Sequence, residues 1–210
     1  MSRIVVQEFI TLDGVVQGCG GPDEDRDGGF DAGGWAMDYD AEHDRADEGS
    51  AIILDWERRT EALLLGRRTY EIWAGSWGVW DEGAEGLLGE LTRRYNRVPK
   101  HLASRTLTEP GWRNTHLLGD DVPGAVAALR EQPGGEIRVW GSTVLIRTLA
   151  AHELIDEYRL MRYPIVLGTG KRLFPDGFPR TDLAVVETRA LASGVEVTTY
   201  RPRRAGAPSV

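Results

Sequence analysis

Apolar and polar positions along the chain divide it into short segments with recognisable periods. Arg3 to Ile10 is a mostly apolar run closed by Thr11-Leu12-Asp13-Gly14, which predicts a first strand ending in a turn. From Asp13 to Gly34 the periodicity vanishes. Eight glycines and several acids fall there, and so long an irregular stretch predicts a mobile loop of the kind that usually carries function. Between Asp40 and Arg59, Ala46, Ser50, Ile53 and Leu54 recur on one side, the pattern of an amphipathic helix. Ala62-Leu63-Leu64-Leu65 is a continuous apolar run that stops at Gly66, and Arg67 to Glu71 shows no alternation, so strand, turn and helix follow one another. Leu87, Leu88, Leu91 and Tyr95 share one face of a helix from about Glu82 to Tyr95.

After Pro99, Lys100 to Ala103 reads as a short strand. Val122 to Gln132 reads as a helix stopped by Pro133-Gly134-Gly135, and Glu136 to Trp140 as a strand. A helix from Val144 to Ala151 is entered through Gly141-Ser142-Thr143, where Ser142 is a suitable N-cap. The last third changes to β-branched alternation: Glu157 to Leu167 and Leu183 to Tyr200 predict strands, the second region folded into a hairpin at Gly194. No repeat and no linker divides the chain. Alternating strands and helices followed by an antiparallel end predict one α/β domain over residues 1–201, with a mostly parallel central sheet flanked by helices and a C-terminal antiparallel hairpin. Residues 202–210 read as a flexible tail.

Composition narrows the function classes. The 25 Lys and Arg against 33 Asp and Glu give a net charge of -8, which removes the basic footprint that duplex nucleic acid requires. The charge is local: Asp23 to Glu48 holds eleven acids against two arginines, and the remainder is close to neutral. No window approaches the ~18 consecutive apolar residues of a membrane span, and the first residues lack a signal-peptide pattern, so the chain reads as soluble and cytoplasmic. The single cysteine, Cys19, can form no internal disulfide, in keeping with a reducing compartment.

Three junctions at the carboxyl ends of predicted strands look alike: Leu65-Gly66-Arg67-Arg68-Thr69, Ala103-Ser104-Arg105-Thr106 and Trp140-Gly141-Ser142-Thr143. Glycine lets a ligand approach the backbone, a helix start offers unpaired N–H groups to an anion, and arginine adds a planar fork suited to phosphate. Together they point to a phosphorylated cofactor across the sheet edge, with Arg67, Arg68 and Arg105 as candidates for an additional phosphate. Other motifs fall away. Gly168-Thr169-Gly170-Lys171-Arg172 lacks the third glycine of a dinucleotide fingerprint and the Ser or Thr of a Walker A loop. His43, His101, His116 and His152 lack metal-ligand spacing, so no metal is expected, and no Gly-x-Ser-x-Gly elbow supplies a hydrolytic nucleophile.

Thr11-Leu12-Asp13-Gly14, Leu64 to Glu71, Ala103 to Leu107, Val139 to Ser142, Leu154 to Tyr158 and Tyr163 to Phe174 recur in this order in one family. The chain resembles the dihydrofolate-reductase-like superfamily, in the group related to the C-terminal reductase domain of the bifunctional riboflavin-biosynthesis deaminase-reductase. The resemblance implies NADPH as hydride donor, a heterocyclic substrate and a homodimer. It also implies that Gly66, Arg67, Arg68 and Thr69 meet cofactor phosphates at a helix start, and that Ser104, Arg105 and Thr106 meet the adenosine 2′-phosphate. Gly141, Ser142, Thr143, Val144 and Leu145 would line the pyrophosphate and nicotinamide side. Ser142 stands where the family usually has the second glycine of a pair.

Hydride transfer to an imine-type bond needs a proton delivered nearby. The acid that holds the pterin in dihydrofolate reductases proper would fall near Ser50 and Ala51, neither of them acidic, which argues against dihydrofolate itself. Asp13, Asp47 and Glu48 are the expected catalytic candidates. Trp35, Trp73, Trp77 and Trp80 either stack on a planar ligand or serve as core or dimer contacts. The expected function is NADPH-dependent reduction of a small pterin-like, pyrimidine-like, carbonyl or imine substrate. The alternative is a nucleotide- or ligand-binding protein of the same fold with little turnover.

Overall fold

A computed structural model describes residues 1–43 and 46–203, with only the backbone of residues 46 and 47. Eight strands form one sheet: β1 (Arg3–Thr11), β2 (Thr60–Gly66), β3 (Lys100–Ala103), β4 (Thr115–Leu117), β5 (Glu136–Val139), β6 (Glu157–Tyr163), β7 (Leu183–Ala190) and β8 (Glu196–Pro202). Their order is β4-β3-β2-β5-β1-β6-β8-β7. β1 to β6 run parallel, and β8 and β7 close the sheet as an antiparallel hairpin. The helices are α1 (Trp35–Glu42), α2 (Ala46–Arg58), α3 (Arg67–Ala74), α4 (Gly86–Arg97), α5 (Val122–Glu131) and α6 (Thr143–Ala151). Among the described residues no helix is long and apolar enough to cross a membrane.

Because side chains alternate along a strand, each central strand feeds two cores. Leu63 and Leu65 of β2, Phe9 of β1 and Met161 and Tyr163 of β6 pack with residues of α1, α2, α3 and α4 on one face. Ala62 and Leu64, Ile4, Val6 and Ile10, and Tyr158 and Leu160 pack with α5 and α6 on the other. The two-sided burial explains why these strands read as nearly continuous apolar runs.

The first face also buries charge. Glu136 of β5 accepts hydrogen bonds from Arg138 (2.6 Å), from Arg159 of β6 (2.7 and 2.8 Å) and from Arg3 (2.6 Å). Arg138 is fully buried and also donates to the carbonyl of Trp56 at 2.8 Å and to the Thr60 hydroxyl at 3.2 Å, so α2 is tied to the sheet through one guanidinium. Arg159 binds Glu157 as well and lies over the Trp56 ring, 5.7 Å from its centroid.

Several sequence expectations shift in detail. The helix expected over Asp40 to Arg59 is two helices, α1 and α2, and the strand expected to reach Leu167 ends at Tyr163. Pro202 belongs to β8, and the Arg203 amide donates to Asp182 at 2.7 Å. The expected tail over 204–210 lies outside the described residues. The stretch from Asp13 to Gly34 is packed where a mobile loop was expected: Val15, Val16 and Phe30 are buried, and Lys171 bonds Asp25 (2.9 Å) and Asp27 (2.8 Å).

Glu136 tests the weight of the ionic cluster. Burial raises its pKa, but the hydrogen bond from Arg159 and the charges of Arg138 and Arg159 outweigh that and hold it below its usual 4.5. Its stabilisation is therefore complete above about pH 4.5 and is lost as pH falls through the lower folded value. Glu136→Gln leaves buried arginines without their anion, so chemical denaturation should report a loss of about 3–5 kcal/mol at neutral pH. That deficit should shrink on acidification, and a constant deficit would refute the assignment.

Candidate active site

In a parallel sheet all strands end at one edge, here at Thr11, Gly66, Ala103, Val139 and Tyr163. β2 and β5 are neighbours, yet the helices that follow them diverge. α3 sends Tyr70 and Trp73 into the first core, and α6 sends Leu145, Ile146 and Leu149 into the second. Two helix starts that part from adjacent strands leave a crevice beyond the strand ends, the place where open α/β sheets bind ligands. Unpaired N–H groups at both helix starts suit that crevice to an anion.

The two starts are stapled together. The Gly66 amide donates to Ser142 Oγ at 2.9 Å, and the Ser142 amide donates to Thr69 Oγ1 at 2.9 Å. Ser142 occupies the expected N-cap position, but its hydroxyl serves the neighbouring helix start and makes no capping bond to α6. Its backbone is left-handed at φ 51, as is that of Gly141 at φ 54. A Cβ on Gly141 would lie 2.8 Å from Thr69 Oγ1, so glycine is required there both for conformation and for space.

The remaining expected cofactor residues are distributed around this staple. Arg67 is exposed and pairs with Glu71 one turn along α3 at 3.2 Å. Arg68 reaches Asp25 of the Gly-rich segment at 3.4 Å. After β3, Ser104 Oγ accepts from the amides of Thr106 (3.2 Å) and Leu107 (2.9 Å), a turn that leaves Arg105 and Thr106 exposed. Arg105 has no ion-pair partner among the described residues. Thr143 is half-buried, Val144 is 81% exposed, and Leu145 directs its side chain into the core.

The acids expected to be catalytic are engaged elsewhere. Asp13 accepts from Thr11 Oγ1 (2.6 Å) and from the amides of Gly168 (2.8 Å) and Leu167 (3.2 Å), tying the first turn to the segment after β6. Burial pushes its pKa up, but the hydrogen bonds from Thr11, Gly168 and Leu167 together outweigh it and hold it below the usual carboxylate value. Glu48 of α2 pairs with Arg189 and accepts from the Ala192 amide at 3.3 Å, joining α2 to the terminal hairpin. The side chain of Asp47 lies outside the described residues. Trp35 is buried edge-to-face with Phe9, Trp140 and Tyr163 in an aromatic group on the first face, and Trp73 is buried against Trp140 at a tilt of 46°.

One acid at this edge was not anticipated. Glu8 of β1 is 2% exposed, points to the second face between Val6 and Ile10, and lies beside the Gly141 amide. The sequence signal was a charged residue inside the first apolar run. Lys171, which bonds Asp25 and Asp27, was likewise read only as part of a rejected motif.

The match that decides the family spans residues 2–197. The chain belongs to the RibD C-terminal domain family. Within reach of this RibD C-terminal domain in sequence, YyaP of Bacillus subtilis (strain 168) is 30% identical over 199 residues, covering 94% of each chain. The fold is shared with a candidate riboflavin biosynthesis protein from Shewanella sp. PV-4 at a TM-score of 0.64 and 22% identity, over 96% of this chain and 99% of that one. It is shared also with dihydrofolate reductase from Enterococcus faecalis complexed with NADP(H), at a TM-score of 0.54 and 11% identity, over 96% and 97% of the two chains. The expected dihydrofolate-reductase-like α/β architecture is thus the observed one.

For this RibD C-terminal domain, Gly141→Ala should cost at least about 1 kcal/mol from the left-handed backbone alone. The added methyl also pushes Thr69 off the Ser142 amide, so thermal denaturation should show a lower midpoint than for Gly111→Ala, where a Cβ meets open space. Equal midpoints would remove the staple's importance.

Proposed function

We propose that this protein is an NADPH-dependent reductase that transfers a hydride to a small pterin-like or pyrimidine-like heterocycle, or to a carbonyl or imine substrate. The observation that carries the reading is the crevice where α3 and α6 start side by side, braced by Ser142 and with no side chain at Gly66 and Gly141 to obstruct a ligand's phosphates. The donors fit a phosphorylated dinucleotide. Two helix starts suit the pyrophosphate, and Arg67 and Arg105 are exposed at the rim for an additional phosphate. Bound there, NADPH would supply two electrons as a hydride. The protein's own part is to hold the phosphates at Gly66 to Thr69 and Gly141 to Thr143, and to shape the turn after β3 through Ser104. Family membership and a shared fold with an NADP(H)-bound dihydrofolate reductase support this assignment.

A second reading, a nucleotide-binding protein with little turnover, is favoured by one observation: Asp13 and Glu48 spend their carboxylates on structural contacts. Thermal-shift titration with NADPH, then NADPH oxidation against a panel of pterins and pyrimidines, separates the two. Stabilisation with oxidation supports the reductase, stabilisation without oxidation by any acceptor supports the binding protein, and no stabilisation removes both. Arg67→Ala and Arg105→Ala should each weaken NADPH about tenfold, the scale of one charged hydrogen bond, and leave NADH nearly unchanged. Equal losses for both dinucleotides would refute their role at the 2′-phosphate.

A further inference from the structure

The reductase reading needs a proton as well as a hydride, and the acids first expected to supply it are poorly placed to do so. Asp13 is held in its charged form by three hydrogen bonds, and Glu48 is ion-paired with Arg189 of the terminal hairpin. Asp40 of α1 is favoured in its neutral form by burial, but its Oδ2 is occupied by the Tyr163 hydroxyl at 3.0 Å.

Glu8 differs from all of them. It sits on β1, two residues past Val6, whose pairing with Val139 is the last rung to β5, and so faces the gap that Trp140 and Gly141 border. Its side chain is almost wholly enclosed, and its Oε1 has no hydrogen-bond partner among the described residues. A buried carboxyl oxygen left without a partner is costly unless it carries a proton or meets a ligand.

We infer that Glu8 is the proton donor of the site, the enclosed carboxyl at the β1/β5 end of the crevice that serves the acceptor's heteroatom. The inference rests on the reductase reading above. Burial favours its neutral form and pushes its pKa well up. The Gly141 amide opposes this only in part, and the charge of Glu24 adds to the rise. The groups facing it are Gly141 from the sheet edge and Glu24 and Cys19 from the Gly-rich segment. Glu24 is half-buried, accepts from the Gly20 amide at 2.6 Å, and also has a raised pKa, chiefly through its own burial. The charge of Glu24 thus disfavours ionisation of Glu8.

In the step, the acceptor's C=N or C=O carbon gains a hydride from NADPH and its heteroatom takes the proton as the Glu8 O–H bond breaks. The O–H electron pair stays on the carboxylate. NADPH is oxidised and the acceptor reduced by two electrons. Water then reprotonates Glu8.

The test compares Glu8→Gln and Glu8→Asp with the wild type. Difference infrared spectra at neutral pH should show a protonated carboxyl band in the wild type that is absent in Glu8→Gln. NADPH affinity, read by fluorescence, should stay within a few fold in both variants, which also reports that they fold. Single-turnover NADPH oxidation with the most active acceptor of the pterin and pyrimidine panel should fall at least about a hundredfold in Glu8→Gln. Glu8→Asp, which keeps the acid, should retain more of the rate. Absence of the band, or undiminished oxidation by Glu8→Gln, overturns the inference alone. Wild-type protein that binds NADPH and oxidises it with no acceptor removes the reductase reading, and this inference with it.

Discussion

The two hydrogen bonds made by Ser142 set the geometry on which the rest of the site depends. Strands β2 and β5 must lie side by side, and their helices must leave toward opposite faces, so the backbone at the parting point would otherwise spread. Ser142 accepts from Gly66 and donates its own amide to Thr69, which fixes the separation of the two helix starts. The left-handed backbone at Ser142 is the strain that this closure stores, and the surrounding hydrogen bonds hold it. A crevice held this way is preorganised, so a ligand need not order it on binding.

Below the crevice the sheet is unusual in carrying ions where parallel strands usually carry aliphatics. Glu136, Arg138, Glu157 and Arg159 neutralise one another across β1 and reach Trp56 of α2. Such clusters add little net stability over an apolar core, but they tolerate few alternative arrangements because each charge needs its partner. Here the consequence is positional. α2, which crosses the first face beside the aromatic group of Phe9, Trp140 and Tyr163, is held at a fixed height over the sheet.

Most of the fold was legible because glycine ends the apolar runs: Leu65-Gly66 and Trp140-Gly141 mark strand ends whatever packs against them. β4 was missed because three residues at a sheet edge, only partly buried, leave no period to read. The parting of the long helix into α1 and α2 carries no Pro or Gly at the break. Contacts between distant residues were the main illegible part. Ser142 looks like an ordinary cap until Gly66 is known to lie beside it. Asp13 looks available until Leu167 and Gly168 are seen to bind it. Glu8 was hidden for another reason, since one charge within an apolar strand gives no indication of whether its partner is an arginine, a ligand or a proton.

The bonds from Lys171 to Asp25 and Asp27 have a consequence for the Gly-rich segment as a cover. The segment's floor is apolar, built from Val15, Val16 and Phe30, whereas its outer rim is clasped by a single ammonium group shared between two carboxylates, with Arg68 of α3 on the same Asp25. Rim and floor therefore answer to different solution conditions. Added salt screens the half-exposed clasp and leaves the apolar floor packed. The lysine follows β6 and the arginine begins α3, so the acidic run ties together two segments far apart in sequence.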